Sequence, residues 1–314
     1  PLGRVPLGAV ILTASVDVQG NRLELDVMGW GQGMERWTVN SHTISGDPTE
    51  RATWDELDSI LRTPIPNAAG ITMVIRACGI DTGGHHTQEV YDFCRAHRRR
   101  WIDGQEQRVL AIKGASRRGR PVIASRPSAV DINLRGRVEK YGAELWMVGT
   151  DTAKDWISHR MLLTSPGQGA IHYSNELPDE YFDQLTAEKK KPRYVKGYRI
   201  MDWIKDAGAR NEAMDKQVYN LAMAHHLELH RKSETWWQNL RAKLNPTTGD
   251  LFSEPPMPAQ AVSDPPTSQD TTDSAPLEAV DIPSLARPAQ ANAALAKPKP
   301  RAAVIGHTDP WMSA

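Results

Sequence analysis

Ile71-Thr72-Met73-Val74-Ile75-Arg76-Ala77-Cys78-Gly79-Ile80-Asp81 is the stretch on which the reading of this chain turns. It is mostly apolar rather than alternating, which predicts a strand buried on both faces, paired in parallel and covered by helices. Upstream lie three β-rich runs, Val10 to Val18, Arg22 to Trp30 and Glu35 to Ser45, the first two joined by the short turn Gln19-Gly20-Asn21. They read as an antiparallel meander. A helix from about Thr53 to Leu61 separates them from the buried strand, with Thr53 and Glu56 at the spacing of a capping box.

Downstream, Thr87 to His97 reads as a helix and Arg108 to Lys113 as a strand. Glu144 to Val148 follows as a strand, Thr152 to Leu163 as a helix and Ala170 to Tyr173 as a short strand. The longest helix, Asn211 to Leu229, carries Met214, Val218, Leu221 and Leu229 on one stripe. Short right-handed connections then place the first strand beside and parallel to the fourth. The predicted class is α/β: a ribonuclease H-like mixed sheet with a five-stranded core, flanked by helices.

The 314 residues are only 39% hydrophobic and include 22 prolines and 23 glycines, which predicts one substantial core plus a segment that does not pack. Ten of the prolines fall between Ser253 and Pro300, and no Phe, Trp or Tyr lies between Phe252 and Trp311. Such a composition buries too little apolar surface to offset its ordering entropy. The expected organisation is a folded domain over residues 1–244 and a disordered tail over 245–314, ending in His307-Thr308-Asp309-Pro310-Trp311-Met312, a candidate docking peptide. Lys plus Arg and Asp plus Glu both number 38, yet the tail holds 4 basic and 8 acidic residues, leaving the front 34 against 30. Two cysteines, Cys78 and Cys94, exclude a disulfide framework and a Cys-based zinc site and predict a reducing setting. No apolar run has the roughly 20 residues of a membrane span, and no signal peptide opens the chain, so a soluble protein is expected. A start at Pro1, with a strand within ten residues, predicts a piece of a longer polypeptide.

The topology makes a statement about acids. Asp17 lies within strand one, in Ala14-Ser15-Val16-Asp17-Val18, where an isolated buried carboxylate is expensive. Asp81 ends the fourth strand. If those strands are neighbours, two like charges stand side by side and need a cation or a shared proton. Oxygen-only ligands select Mg²⁺ or Mn²⁺ over zinc. Asp215, beside the apolar stripe of the long helix, is the candidate third acid. Three carboxylates around two ions about 3.5 to 4 Å apart suit in-line attack of water on a phosphodiester.

Six segments, in order, resemble the C-terminal nuclease domain of the lambda-type phage terminase large subunit: Ala9-Val10-Ile11-Leu12-Thr13-Ala14-Ser15-Val16-Asp17-Val18-Gln19, Leu25-Asp26-Val27-Met28-Gly29-Trp30-Gly31, Ile80-Asp81-Thr82-Gly83-Gly84, Ile112-Lys113-Gly114-Ala115, Gly149-Thr150-Asp151-Thr152-Ala153-Lys154 and Arg210-Asn211-Glu212-Ala213-Met214-Asp215. The likeness spans roughly residues 5 to 230. It implies a metal-dependent endonuclease that cuts concatemeric double-stranded phage DNA in the host cell cytoplasm, with Asp17, Asp81 and Asp215 as the acidic triad. It also implies three partners: an N-terminal packaging ATPase, a small terminase subunit and the capsid portal, the last reached through the tail. The G-x-x-x-x-G-K-[ST] run of such an ATPase is missing from this chain.

Under that reading the basic residues supply DNA backbone contacts. The favoured set is Lys113, Arg117, Arg118 and Arg120; Arg95, Arg98, Arg99 and Arg100 beside Trp101 form a second cluster, and Lys189, Lys190, Lys191, Arg193, Lys196 and Arg199 a third. His85 and His86 are candidates for proton transfer or outer-shell ligation. His225 and His226 lie about 15 Å along the helix from Asp215, too far to share its metal. Three alternatives stay open: an actin-like or sugar-kinase ATPase, another ribonuclease H-like polynucleotidyl transferase, and a non-catalytic DNA-binding or portal-docking module.

Overall fold

The computed structural model describes residues 1–134 and 136–245. The stretch read as a tail with a docking peptide therefore lies, apart from Asn245, outside the described residues. In chain order the elements are β1 (Ile11–Val18), β2 (Arg22–Trp30), β3 (Arg36–Ser45), α1 (Arg51–Arg62), β4 (Ile65–Pro66), β5 (Thr72–Met73), β6 (Ile75–Asp81), α2 (Thr87–His97), β7 (Arg99–Ile102) and β8 (Gln105–Gly114). They continue with β9 (Ser128–Leu134), β10 (Arg137–Val148), α3 (Thr150–Arg160), β11 (Ile171–His172), α4 (Asp179–Leu185), β12 (Glu188–Val195), β13 (Tyr198–Lys205), α5 (Glu212–His226) and α6 (Glu234–Leu244).

A mixed sheet runs in the order β11-β3-β2-β1-β6-β8-β10-β9, with β7 also paired to β8. The meander β1–β2–β3 is antiparallel, while β1, β6, β8 and β10 run parallel to one another. The expected pairing of the first strand with the buried one is present as Leu12↔Ile75 through Val16↔Ile80. The sheet is wider than the five-stranded core expected: β10 continues into a long hairpin with β9, β7 pairs with β8, and β11, the short strand expected near Ala170 to Tyr173, joins the far edge.

Each face of the sheet has its own apolar core. Leu12, Ala14, Val16 and Val18 of β1 pack with Trp54, Leu57 and Leu61 of α1 and Val90 and Phe93 of α2. The other core joins Ile11, Ala77, Leu110 and Ile112 to Ile157 of α3, Tyr181 of α4, Trp237 of α6 and much of α5. Strand alternation sends the remaining odd residues of β1, Thr13, Ser15 and Asp17, toward α5. All of β1 is buried, so those polar groups need partners inside. Asn220 of α5 supplies them: its Oδ1 accepts from Thr13 Oγ1 at 2.7 Å and its Nδ2 donates to Ser15 Oγ at 2.7 Å, while Ser15 Oγ donates to Lys216 O at 2.8 Å. The close seat of α5 also needs Gly79 of β6, where a Cβ would lie 2.9 Å from Ile112 Cδ1 and 3.0 Å from Met223 Cε.

Several local expectations are corrected. The first helix begins at Arg51 and its N-cap, Glu50, makes no side-chain cap bond. Thr53 is not a capping residue: its hydroxyl donates to Asp47 O instead. The third helix starts two residues before Thr152, whose hydroxyl donates to Arg120 O. The basic run from Lys189 to Arg199 forms a two-stranded ribbon, β12–β13, missed because a ribbon exposed along most of its length lacks apolar alternation. Helix α6, capped by Ser233 accepting from Trp236 N, was also missed. Among the described residues no helix is long and apolar enough to cross a membrane.

Asn220→Ala removes the acceptor of the buried Thr13 hydroxyl and leaves a cavity between α5 and β1. We predict a loss of about 2–4 kcal/mol in urea denaturation. A loss below about 0.5 kcal/mol would show that this amide does not hold the helix to the sheet.

Candidate active site

Asp17 is one residue past Val16 on β1 and Asp81 one past Ile80 on β6, so the parallel register continues onto the two acids. Both continue the alternation that turns Thr13 and Ser15 of β1 and Ala77 and Gly79 of β6 toward α5, which places them on one face at adjacent strand ends. Asp215 enters from above, in the first turn of α5, on the helix that Asn220 ties to β1.

The three carboxylates feel one another. Asp17 is 7% exposed, and burial, then the charges of Asp215 and Asp81, push its carboxyl up to about 7. Gln19 Nε2 donates to its Oδ2 at 2.8 Å and opposes that rise. Burial raises Asp81 to about 6, with the Asp215 charge adding and bonds from the Gly83 and Thr82 amides and the Tyr219 hydroxyl opposing. Its Oδ1 is buried without a hydrogen-bond partner. Gly83 must be small, because a Cβ there would lie 2.9 Å from Asp81 Oδ2. Asp215 is also raised, first by burial, against the pull of Lys154.

Among the described residues, Asp215 is the one of the three that is ion-paired. Lys154 Nζ of α3 lies 3.3 Å from its Oδ1, and Asn211 Nδ2 donates to its Oδ2 at 2.8 Å. The same two groups hold Glu188 at the start of β12: Lys154 Nζ is 2.5 Å and Asn211 Nδ2 2.7 Å from its Oε1. Burial lowers the Lys154 pKa, but the Asp215 and Glu188 carboxylates outweigh it and the ammonium is held charged. Among the described residues no three Asp, Glu, His or Cys side chains stand together as a ready-made metal cage.

Asp17, Asp81, His85 and His86 line one cleft of about 260 Å³. Arg117 and Arg118 line a groove of about 640 Å³ with Lys154, Glu188 and Trp203. There Arg118 is ion-paired with Asp202 of the ribbon. Arg120 is exposed on the same loop. Lys113 is exposed, and alternation along β8 puts it with Val109 and Ala111, across the sheet from the acids. The second basic cluster is largely spoken for: Arg95, Arg98, Arg99 and Arg100 pair with Glu139, Glu144, Glu106 and Asp58. His225 and His226 sit in half-buried surroundings, where burial lowers both to about 4; His226 meets the Trp146 ring edge-on.

Sequence reasoning did not single out Lys154, Glu188, Asn211 and Tyr219. For Asn211 and Tyr219 a signal existed, since each is four residues from Asp215 on the helix line. Glu188 had none, because only the folded ribbon brings it there.

A cleft built on carboxylates at the ends of parallel strands, roofed by a helix bearing a third, defines an acid-centred α/β site. The chain belongs to the family described as terminase large subunit gpA, endonuclease domain, whose model matches residues 1–237. It is 36% identical over 227 residues to the terminase large subunit of Escherichia phage lambda, covering 69% of this chain and 32% of that protein. Against the terminase large subunit of Enterobacteria phage P21 it is 35% identical over 226 residues, covering 69% and 33%. The chain thus spans about a third of the length of these relatives. No solved structure matches it.

The raised Asp17 carboxyl carries a pH signature. Its proton is held more tightly in the folded than in the unfolded chain, so its stabilising contribution is complete below the ordinary value of 3.8 and gone above about 7. In EDTA, Asp17→Asn, which mimics the protonated acid, is expected to be more stable than the parent by on the order of 2 kcal/mol at pH 8 and nearly equal to it at pH 4. Denaturation curves showing the same gap at both pH values would remove Asp17 from the strained cluster.

Proposed function

We propose that this chain is a ribonuclease H-like, metal-dependent endodeoxyribonuclease that cuts concatemeric double-stranded viral DNA during packaging. The observation that carries the reading is the parallel β1–β6 register, which sets Asp17 beside Asp81 beneath the helix bearing Asp215. Family membership supports it, as does the chemistry of the donor set: oxygen ligands only, crowded like charges, and a buried Asp81 oxygen without a partner. These residues fit Mg²⁺ or Mn²⁺, and Asp17, Asp81 and Asp215 would hold it. Two such ions, when bound, supply an activated water and charge stabilisation of the leaving oxygen.

The chain's own residues do the rest. Gln19 orients Asp17 by one side-chain hydrogen bond, and Tyr219 with the Gly83 and Thr82 amides orients Asp81, whose Oδ1 stays without a partner. Arg117, Arg118 and Arg120, on the loop after β8, offer the phosphate backbone cations, contacts that carry no base sequence, whereas Lys113 lies on the opposite face of the sheet. His85 and His86, in the cleft with two of the acids, are placed to take or return a proton. Site choice then falls to a partner, the small terminase subunit, with the packaging ATPase and capsid portal as the other members of the assembly. The engagement of both Asp215 oxygens favours one second reading, a DNA-binding or docking module whose acids are structural.

Supercoiled plasmid separates the two. We expect nicking and linearisation in Mn²⁺ or Mg²⁺, none in EDTA, and a loss of at least about 10²-fold in Asp17→Ala and Asp81→Ala with the fold retained by circular dichroism. Full cutting by either variant, or binding of plasmid without metal-dependent cutting by the folded parent, would favour the non-catalytic module.

A further inference from the structure

The third acid is paired with a cation of the chain itself. Lys154 comes from α3, Glu188 from β12 and Asp215 from α5, and their side chains are only 10%, 7% and 25% exposed. The ammonium lies nearer Glu188, at 2.5 Å, than Asp215, at 3.3 Å. It is therefore held by two carboxylates, and loss of one leaves it still paired. That is the arrangement of a displaceable counter-ion, because a buried ammonium left with no partner would be costly. Lys154 also borders the groove of about 640 Å³ that Arg117 and Arg118 line.

We propose that Lys154 is a positioning residue that neutralises Asp215 in the metal-free protein, yields that carboxylate to an entering divalent cation, and stays anchored by Glu188 at the groove wall. The proposal rests on the metal-site reading above. It explains why the acids form no ready-made cage although three of them share one electrostatic environment. It also gives Glu188 a role distinct from the triad: it draws the ammonium away from Asp215 rather than ligating the ion.

The two ends of the Lys154–Glu188 pair then act with opposite sign. Lys154→Met removes the competitor and is expected to tighten Mn²⁺ binding about tenfold, measured by electron paramagnetic resonance of free Mn²⁺ with the full chain. Glu188→Gln leaves Lys154 to Asp215 alone and is expected to weaken it about tenfold, and Lys154→Arg is expected to stay within about threefold of the parent. In EDTA, Lys154→Met is expected to melt lower than the parent, because two carboxylates lose their cation, and to recover with Mn²⁺. Unchanged or weaker Mn²⁺ affinity in Lys154→Met, or a loss in Lys154→Arg as large as the gain expected in Lys154→Met, overturns the proposal. If Lys154→Met does not fold, unchanged or tighter binding in Glu188→Gln overturns it. The metal reading is tested separately by the parent against Asp17→Ala: equal Mn²⁺ binding in those two sinks the metal site itself.

Discussion

Everything at the site depends on the parallel pairing of β1 with β6. A strand pair in this register fixes two things together: which residues share an end of the sheet, and which share a face. Val16 opposite Ile80 leaves Asp17 and Asp81 as the next step on both strands, both turned toward α5. A slip of one residue in either strand would send one carboxylate into the apolar layer under α1 and α2. The register is held by the cores on both sides, since the even residues of β1 are packed against those two helices while its odd hydroxyls are claimed by Asn220.

The same sheet face treats its acids in two ways. Asp26 of β2 is fully buried and fully partnered: Lys216 Nζ at 2.8 Å, the Tyr181 hydroxyl at 2.7 Å and the Ser41 hydroxyl at 2.8 Å. Among the described residues, Asp17, a strand away, has one side-chain partner, Gln19, and Asp81, two strands away, keeps Oδ1 buried without one; neither has a cation, both have like charges for neighbours, and their carboxyls are pushed up to about 7 and 6. A fold able to satisfy Asp26 so completely can satisfy a buried acid where structure alone is at stake. The contrast sets the second pair apart as electrostatically strained where Asp26 is not.

How much of this was legible depended on range. The apolar run into Asp81, the meander before it and the acid inside β1 are local patterns, and they were enough to predict which strands meet and which two acids face each other. Asp215 was a candidate by its helix face, but its choice over other helix acids came from the family resemblance and not from periodicity alone. Glu188 and Lys154 were not legible as a pair, because their contact joins a helix to a ribbon 34 positions later whose lysine-rich strands carry no apolar signal. The Thr53–Glu56 spacing misled for the opposite reason: a correct local pattern lost to a tertiary bond from Thr53 to Asp47 O. The arginines after α2 were read by charge alone, without sight of the glutamates on neighbouring strands that pair with them.

Gly79 has a mechanical consequence. Its missing side chain lets Met223 and Ile112 close over β6, and so sets the depth at which α5 rests on the sheet. Asp215 rides on the same helix, eight residues or about 12 Å nearer its start. A helix is stiff over that length, so a methyl group at Gly79 would act as a shim under one end of a beam, tilting the other. The spacing between Asp215 and the two strand acids is thereby calibrated from a position that has no functional group of its own.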